Sequence, residues 1–423
     1  MRLSGTTRAD TNKKVKNNLI RRDCLKLDSG SHPNLYKLGM KLHKISPELW
    51  EYGIKALTLP NRISDGARFR LGDKRTAGGI CGVNLELTIR CNLRCRMCWW
   101  WGENGIAFGL MKENHPLIAN ELSTEEIFHV VDQLEKYKPS FYLSGGEPFI
   151  RSDTIDIIEY ISKKGMSVIT NDNGTLLDEE KMKRLARIKN LTINFSIDGP
   201  REVHDRIRGA GMFDKTTANI RKLVELRGKT IYPAIKTNTT FSPWILGRMD
   251  ELIRYLQDDV GVDAVRLQHL WFTDKPHAEA HKRVISEVFG VEDRGVDSHI
   301  ISSFEPDYAK RLADEVMRIE KSRYNKPVFV HPRMNKEQIV KYYTEPSFKR
   351  TDCCFVAWSS MMIKANGDVM FCPDEWISEF KLGNVRSSSI SEMWNGEKAG
   401  KFREELYKRK LFPACARCCG ING

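Results

Sequence analysis

Residues 83–98 read VNLELTIRCNLRCRMC, an apolar stretch that runs directly into three closely spaced cysteines. The first seven residues predict a β-strand, because apolar side chains alternate there with residues common in strands. Cys91, Cys95 and Cys98 then fall on one short loop at the C-terminal end of that strand. In α/β barrels the loops at this end converge on the axis and build the active site. We therefore expect the three thiols to lie at a functional site.

The sequence that follows alternates strands with helices. Ser123 and Glu126 fit a capping box at the start of one of the intervening helices. Apolar runs typical of buried parallel strands recur at residues 141–145, 166–170, 191–197, 232–240 and 263–271. Together with the first strand they predict an α/β fold with a partial, TIM-like (β/α)6 barrel.

Composition divides the chain into four predicted parts. These are a basic, partly helical N-terminal extension (1–80, with a helical pattern over 34–57), the barrel (81–275), a charged helical bridge (276–350) and a small Cys-rich domain (351–423). A small domain with few long apolar segments usually depends on a bound metal for stability.

Overall composition excludes several classes of protein. The 423 residues are 41% hydrophobic and 29% charged, which is typical of a globular chain and not of a disordered one. No window approaches the roughly 18 apolar residues of a membrane-spanning helix, and the N-terminus lacks the apolar core of a secretory signal. We therefore expect a cytoplasmic protein without a transmembrane segment. The net charge of +13 favours anionic partners.

The cysteines point to metal chemistry. There are 11 of them, an odd number, in a chain without an export signal, which argues against a disulfide framework. Three thiolates on one loop suit three irons of a [4Fe–4S] cube and leave the fourth iron open to a small molecule. A structural zinc site needs four protein ligands, and on spacing alone zinc remains the alternative.

Polar motifs also follow the next three predicted strands. Gly145-Gly146-Glu147-Pro148 follows the second strand, Asn173-Gly174 follows the third, and SIDGP (196–200) ends the fourth. The glycines permit close approach of the backbone to a ligand, and Glu147 can accept from an ammonium group. These motifs would cluster where a cofactor lies, at the C-terminal ends of the strands.

With the CxxxCxxC loop and VHDRIRG (203–209), these motifs resemble the radical S-adenosylmethionine (SAM) superfamily, in its branch with a C-terminal SPASM or twitch domain. The resemblance implies that Cys91, Cys95 and Cys98 hold a [4Fe–4S] cube whose open iron binds SAM. The residues implied to contact SAM are Gly145, Gly146, Glu147, Asn173, Ser196 and Asp198.

The C-terminal cysteines resemble the single-cluster form of that domain. The Asn366-Gly367-Asp368 turn predicts a β-hairpin that carries Cys372 at its end. The resemblance implies one auxiliary [4Fe–4S] cluster, because six cysteines here cannot supply eight ligands. Its implied ligands are Cys354, Cys372, Cys415 and Cys418, and Cys353 and Cys419 are adjacent alternatives.

The implied function is reductive cleavage of SAM to a 5′-deoxyadenosyl radical, which abstracts hydrogen from a substrate C–H bond. The SPASM branch favours a peptide or protein maturase or an oxidative modification enzyme, with a small molecule or tetrapyrrole as the alternative substrate. An electron donor such as flavodoxin or ferredoxin is the implied partner. Nucleic acid is not expected, because no stacking or RNA-binding motif is present. A non-catalytic iron–sulfur or zinc protein is the rival class.

Overall fold

The computed structural model describes residues 74–102, 105, 120–293, 295–301, 304–373 and 377–418. The predicted helical pattern over 34–57 and Cys419 lie outside these residues. In the described part of the chain, ten strands form one sheet in the order β10-β9-β8-β1-β2-β3-β4-β5-β6-β7. No helix among the described residues is long and apolar enough to cross a lipid bilayer.

The strands alternate with helices along the chain. The strands are β1 (Gly82–Thr88), β2 (Ser140–Gly145), β3 (Val168–Asp172), β4 (Leu191–Ser196), β5 (Ala234–Thr240), β6 (Ala264–Gln268), β7 (Val328–His331), β8 (Ser360–Ile363), β9 (Asp368–Met370) and β10 (Gly383–Asn384). The helices are α1 (Thr124–Leu134), α2 (Thr154–Lys163), α3 (Glu179–Leu185), α4 (Arg201–Arg208), α5 (Met212–Arg227), α6 (Met249–Arg254), α7 (Lys275–Phe289), α8 (Pro306–Lys321), α9 (Lys336–Thr344), α10 (Val356–Ser359), α11 (Ile390–Asn395) and α12 (Glu397–Arg409).

The predicted α/β barrel fold is confirmed, and the six predicted strands form its centre as β1–β6. All five neighbouring pairs among them are parallel. The capping box of α1 is also present: the Glu126 amide donates to Ser123 Oγ at 3.2 Å, and the Ser123 amide donates to Glu126 Oε2 at 2.8 Å. These bonds satisfy amides that the first helical turn leaves without partners.

The parallel sheet extends beyond the six predicted strands on both sides. From the segment predicted as a helical bridge, β7 adds to β6, with Val265 opposite Val328. From the Cys-rich segment, β8 adds to β1 in parallel, with Gly82 opposite Ser360. Strands β7 and β8 are each only four residues long, which is too short for the alternation of a strand to be recognised in the sequence. The C-terminal segment is thus joined to the barrel by main-chain hydrogen bonds.

Strand alternation separates the core from the barrel interior. Outward-facing side chains such as Phe141, Leu143, Ile193 and Phe195 are fully buried in the apolar layer under the helices. Inward-facing positions on the same strands are polar and only partly buried. This pattern leaves an open, polar space inside the barrel.

Candidate active site

The three-cysteine loop opens into the barrel interior. Cys91, Cys95 and Cys98 follow β1 and line a cavity of about 1660 Å³ that the inward faces of the strands also line. The Arg96 amide donates to the Ile207 carbonyl at 2.9 Å, which ties the loop to α4. The loop therefore lies at the C-terminal ends of the parallel strands, as the sequence predicted.

Burial makes the thiols of Cys91 and Cys95 poor acids. It raises the pKa of Cys91 to about 12 and also raises the pKa of Cys95, although the Arg208 guanidinium opposes the effect at Cys95. Two main-chain amides donate to the sulfurs, from Leu93 to Cys91 at 3.4 Å and from Trp101 to Cys98 at 3.1 Å. Amide donors and a guanidinium stabilise the thiolate form of these cysteines, and the positive charge of a bound metal centre would stabilise it further.

The arrangement of donors bears on which metal centre fits. Among the described residues, no three Cys, His, Asp or Glu side chains close around a single metal ion. In a tetrahedral zinc site with bonds of about 2.3 Å the thiolates lie about 3.8 Å apart. In an iron–sulfur cube each thiolate binds a different iron, so the sulfurs lie farther apart. The loop thus fits a cluster better than a single ion.

Gly145 and Gly146 bring the β2 loop against the cysteine loop. The Gly146 amide donates to the Thr88 carbonyl at 2.9 Å, and the Glu147 amide donates to the Arg90 carbonyl at 2.8 Å. A Cβ atom at Gly145 would overlap the main chain of Thr88, and one at Gly146 would overlap the Arg90 carbonyl. Both glycines line the cavity, and their lack of a side chain is needed for this close approach of two backbones.

Alanine at Gly145 is expected to destabilise the protein strongly. Gly145 has φ +139°, and an added Cβ meets backbone that cannot move aside, so the free energy of unfolding should fall by more than about 3 kcal/mol. Gly211 also has positive φ but no atom within 4 Å of an added Cβ, so Gly211→Ala should cost only about 1–2 kcal/mol. Urea titration of both variants measures the difference; equal losses would show that the backbone contact is unimportant.

Glu147 and Asp172 form a buried carboxyl pair beside the cavity. Glu147 accepts from the amides of Phe149 at 3.0 Å and Asn173 at 2.9 Å. Asp172 accepts from the Gly174 amide at 2.6 Å, and its second oxygen has no hydrogen-bond partner among the described residues. Burial raises the pKa of both carboxyls, and the Asp172 charge raises that of Glu147 further. Two neighbouring buried carboxylates repel each other, so each opposes ionisation of the other.

Asn173 links the β3 turn to the cysteine loop. Its Nδ2 donates to Asn92 Oδ1 at 2.9 Å, and its Oδ1 accepts from the Thr175 amide at 2.9 Å. Asn92 in turn donates to Thr175 Oγ1 at 2.9 Å. Asn173 lines the cavity within this network, which holds the predicted cofactor loops in one arrangement.

Ser196 and Asp198 have different surroundings at the end of β4. Ser196 lines the cavity, and its hydroxyl has no hydrogen-bond partner among the described residues. The Asp198 carboxylate is almost fully buried, with one oxygen 2.6 Å from Arg208 Nε and the other accepting from the Thr240 amide at 3.2 Å. Arg208 also reaches within 3.8 Å of Cys95 Sγ. Asp198 therefore positions a cation beside the cysteine loop.

Two of the three tryptophans after the loop face the cavity. Trp99 and Trp100 line it, and Trp99 packs on the His299 ring at 4.8 Å. Trp101 is buried beneath the loop, where its indole donates to the Ile89 carbonyl. Lys364, in the turn between β8 and β9, lies 4.6 Å from the centre of the Trp100 ring. The C-terminal hairpin thus contacts the aromatic wall beside the cysteine loop.

Beyond the first loop, the described cysteines form a second group (Cys353, Cys354 and Cys372) and a third group (Cys415 and Cys418), and neighbouring contacts join the two groups near the hairpin. The predicted hairpin is present, with β8 and β9 antiparallel. The Cys354 amide donates to the Lys410 carbonyl at 3.1 Å, a few residues before the third group. Cys372 packs in an apolar cluster with Ala414, the neighbour of Cys415. Cys353 stands beside Cys354 and is likewise partly buried.

The sequence analysis missed a polar wall on β4–β6. The sequence analysis treats these strands only as apolar runs, yet most of the residues that face the cavity are polar. The apolar–polar alternation in INFS (193–196) and VRLQ (265–268) and the wholly polar KTNTT (236–240) are the signals that identify it. The inward-facing side chains are Asn194, Ser196, Lys236, Asn238, Thr240, Arg266 and Gln268.

Comparisons with known proteins match this geometry. Residues 85–256 match the model of the radical SAM superfamily, and residues 353–419 match that of the SPASM iron–sulfur cluster-binding domain. The chain is 25% identical over 79% of its length to Fe-coproporphyrin III synthase of Methanosarcina barkeri, covering 80% of that protein. It is 26% identical over 80% of its length to the subtilosin biosynthesis protein AlbA of Bacillus subtilis, covering 66% of it.

A solved structure shows the same fold. Streptococcus suis SuiB bound to SAM superimposes with a TM-score of 0.57 at 14% identity, over 84% of this chain and 78% of that one. The cofactors are a [4Fe–4S] cluster with SAM in the barrel and auxiliary iron–sulfur in the SPASM domain. The chain is a member of the radical SAM superfamily that carries a C-terminal SPASM domain.

Proposed function

We propose that this protein abstracts hydrogen from a C–H bond of a substrate enclosed in the barrel cavity. The cysteine loop that opens into a cavity of about 1660 Å³ carries this proposal. The bound [4Fe–4S] cluster supplies the one-electron chemistry that converts SAM into a hydrogen-abstracting species. The protein's own part is to hold the reactants together, to exclude water and to keep the thiolates charged.

The positions of the predicted residues support the following roles. Cys91, Cys95 and Cys98 would hold the cluster that binds SAM, with Arg208 stabilising the Cys95 thiolate. The SAM site would be formed by Gly145, Gly146, Glu147, Asn173 and Ser196, with Asp198 acting through Arg208. The auxiliary cluster would be held by Cys354, Cys372, Cys415 and Cys418.

For the substrate we propose a carboxylate-bearing small molecule of the tetrapyrrole type. Aromatic and thioether side chains line one part of the cavity, among them Trp99, Trp100 and Met361, and suit a flat apolar ring. Basic side chains line another part, including Arg266 and Lys236, and suit carboxylates. The similarity to Fe-coproporphyrin III synthase over most of both chains supports this choice.

A peptide or protein substrate, which the sequence analysis favoured, is the second candidate. The similarity to the subtilosin biosynthesis protein over 80% of this chain favours it. The cavity chemistry favours the tetrapyrrole, because aromatic side chains on one part of the wall and basic side chains on another suit a ring that carries carboxylates. An electron donor such as flavodoxin or ferredoxin and a cytoplasmic location remain predictions.

Product analysis under anaerobic conditions tests the substrate class. The cluster-loaded protein is incubated with SAM, dithionite and either a carboxylate-bearing iron tetrapyrrole, tried in turn from a series, or no substrate, and 5′-deoxyadenosine and the tetrapyrrole mass are measured. We expect at least fivefold more 5′-deoxyadenosine with the tetrapyrrole, together with a mass change in it. SAM cleavage that no carboxylate-bearing tetrapyrrole stimulates would contradict the tetrapyrrole assignment and leave the peptide candidate.

A further inference from the structure

Two basic side chains lie inside the barrel on its polar wall. Lys236 on β5 and Arg266 on β6 occupy inward-facing positions and line the cavity. Asn238 lies directly opposite Arg266, and Lys236 is two residues before Asn238. With strands about 4.8 Å apart and about 3.3 Å per residue, the two basic residues have Cα atoms about 8 Å apart. Side chains of their length can therefore reach one ligand group together.

Arg266 lacks a matching acid on this wall among the described residues. Arg266 makes no ion pair or hydrogen bond within the described part of the chain. Burial and the Arg266 charge lower the pKa of Lys236, while Asp263 raises it. Asp263 is already engaged, because its carboxylate pairs with Arg227 and accepts from the Ile235 amide at 2.7 Å.

The acids that line the cavity belong to the opposite wall and are occupied. Glu86 on β1 is 3.3 Å from Lys364 Nζ and accepts from the Ala365 amide at 3.2 Å. Glu147 and Asp172 accept hydrogen bonds from main-chain amides. Among the described lining residues, the acids thus lie on β1–β3 and their loops, across the barrel from Lys236 and Arg266 on β5 and β6.

Two like charges held together in a partly buried cavity repel each other, and an anionic ligand removes that cost. We propose that Lys236 and Arg266 bind a carboxylate group of the substrate and thereby fix how it lies in the cavity. The planar guanidinium accepts a carboxylate in bidentate fashion and the ammonium adds a point charge. The amides of Asn194 and Gln268 on the same wall can donate to its remaining lone pairs. This inference rests on the proposed function and specifies its substrate-binding residues.

Equilibrium binding tests the inference without SAM or reductant. Metal-free coproporphyrin III, which carries four carboxylates and no iron to coordinate, is titrated into the cluster-loaded protein and its fluorescence is followed. We expect Arg266→Gln and Lys236→Met each to raise Kd at least tenfold, which is about 1.4 kcal/mol. Arg266→Lys keeps the charge and should lose less affinity than Arg266→Gln.

Matched controls separate this effect from general loss of charge or fold. Arg333 also lines the cavity but pairs with Glu320 at 3.1 Å, so Arg333→Gln should change Kd less than threefold. The tetramethyl ester of coproporphyrin should bind the wild type and Arg266→Gln alike. Equal affinity of the wild type, Arg266→Gln and Lys236→Met for coproporphyrin III would overturn the inference, as would no binding to the wild type.

The results of this binding test and of the test of the proposed function are independent of each other. If coproporphyrin binding depends on Arg266 but the protein does not cleave SAM, the proposed function is contradicted and the binding inference is supported. If the protein cleaves SAM but its affinity for coproporphyrin does not depend on Arg266, the binding inference is contradicted and the proposed function is supported.

Discussion

Cys95→Ala is expected to lower the rate of 5′-deoxyadenosine formation more than a hundredfold. Of the three loop thiols, Cys95 is the most deeply buried, and Arg208 lies 3.8 Å from its sulfur. Loss of one of the three proposed cluster ligands would leave an iron without protein support, because the described residues that line the cavity include no fourth cysteine. Anaerobic assays with SAM and dithionite, after iron and sulfide reconstitution, measure the rate by chromatography.

Cys81→Ala is the matched control for that experiment. Cys81 precedes β1, outside the three-cysteine loop, and engages the Ser359 carbonyl through its main-chain amide, which alanine retains. This variant should cleave SAM at close to the wild-type rate. Comparable rates in Cys95→Ala and the wild type would show that the loop does not hold the catalytic cluster.

The second large effect is expected at the buried ion pair of the cysteine loop. Arg208→Met removes the guanidinium 2.6 Å from Asp198, whose side chain is only 1% exposed. An uncompensated buried carboxylate costs about 3–5 kcal/mol of the free energy of unfolding. Urea titration should show this loss, and adding Asp198→Asn to Arg208→Met should recover part of it because the orphaned charge is gone.

An exposed pair supplies the control for Arg208. Arg248 pairs with Glu251, and both side chains are well exposed to solvent. Arg248→Met should therefore cost less than about 1 kcal/mol. If Arg208→Met costs no more than Arg248→Met, the Asp198 carboxylate is not held by the guanidinium as the structure shows.

The sequence predicted most of the barrel because its signals are local. Strands β1–β6, the capping box of Ser123 and Glu126, and the hairpin at Gly367 each depend on a few neighbouring residues. Gly367 has φ +87°, a conformation that glycine adopts without strain, so its turn was visible in the sequence. The positions of the three-cysteine loop and the GGEP loop followed from the same strand assignment.

The remaining features depend on contacts between distant segments. The pairing of Gly82 with Ser360 joins the C-terminal segment to the barrel, and no local sequence pattern near either residue predicts this pairing. The sequence did not predict that the Asp198 carboxylate contacts Arg208 and the Thr240 amide, and its contact with the cofactor stays a prediction. The polar wall with Arg266 was visible as period-two alternation, but an emphasis on apolar content concealed it.

The most direct test of the central claim is the EPR spectrum of the reduced, cluster-loaded protein with and without SAM. The structure places an open three-cysteine loop at the cavity and a separate group of cysteines beside the hairpin. We expect one EPR signal from each cluster. SAM should change the signal that is lost in Cys95→Ala and should leave the signal of the auxiliary cluster unchanged. A spectrum that SAM does not alter, with both clusters loaded and reduced, would contradict SAM binding at the cysteine loop.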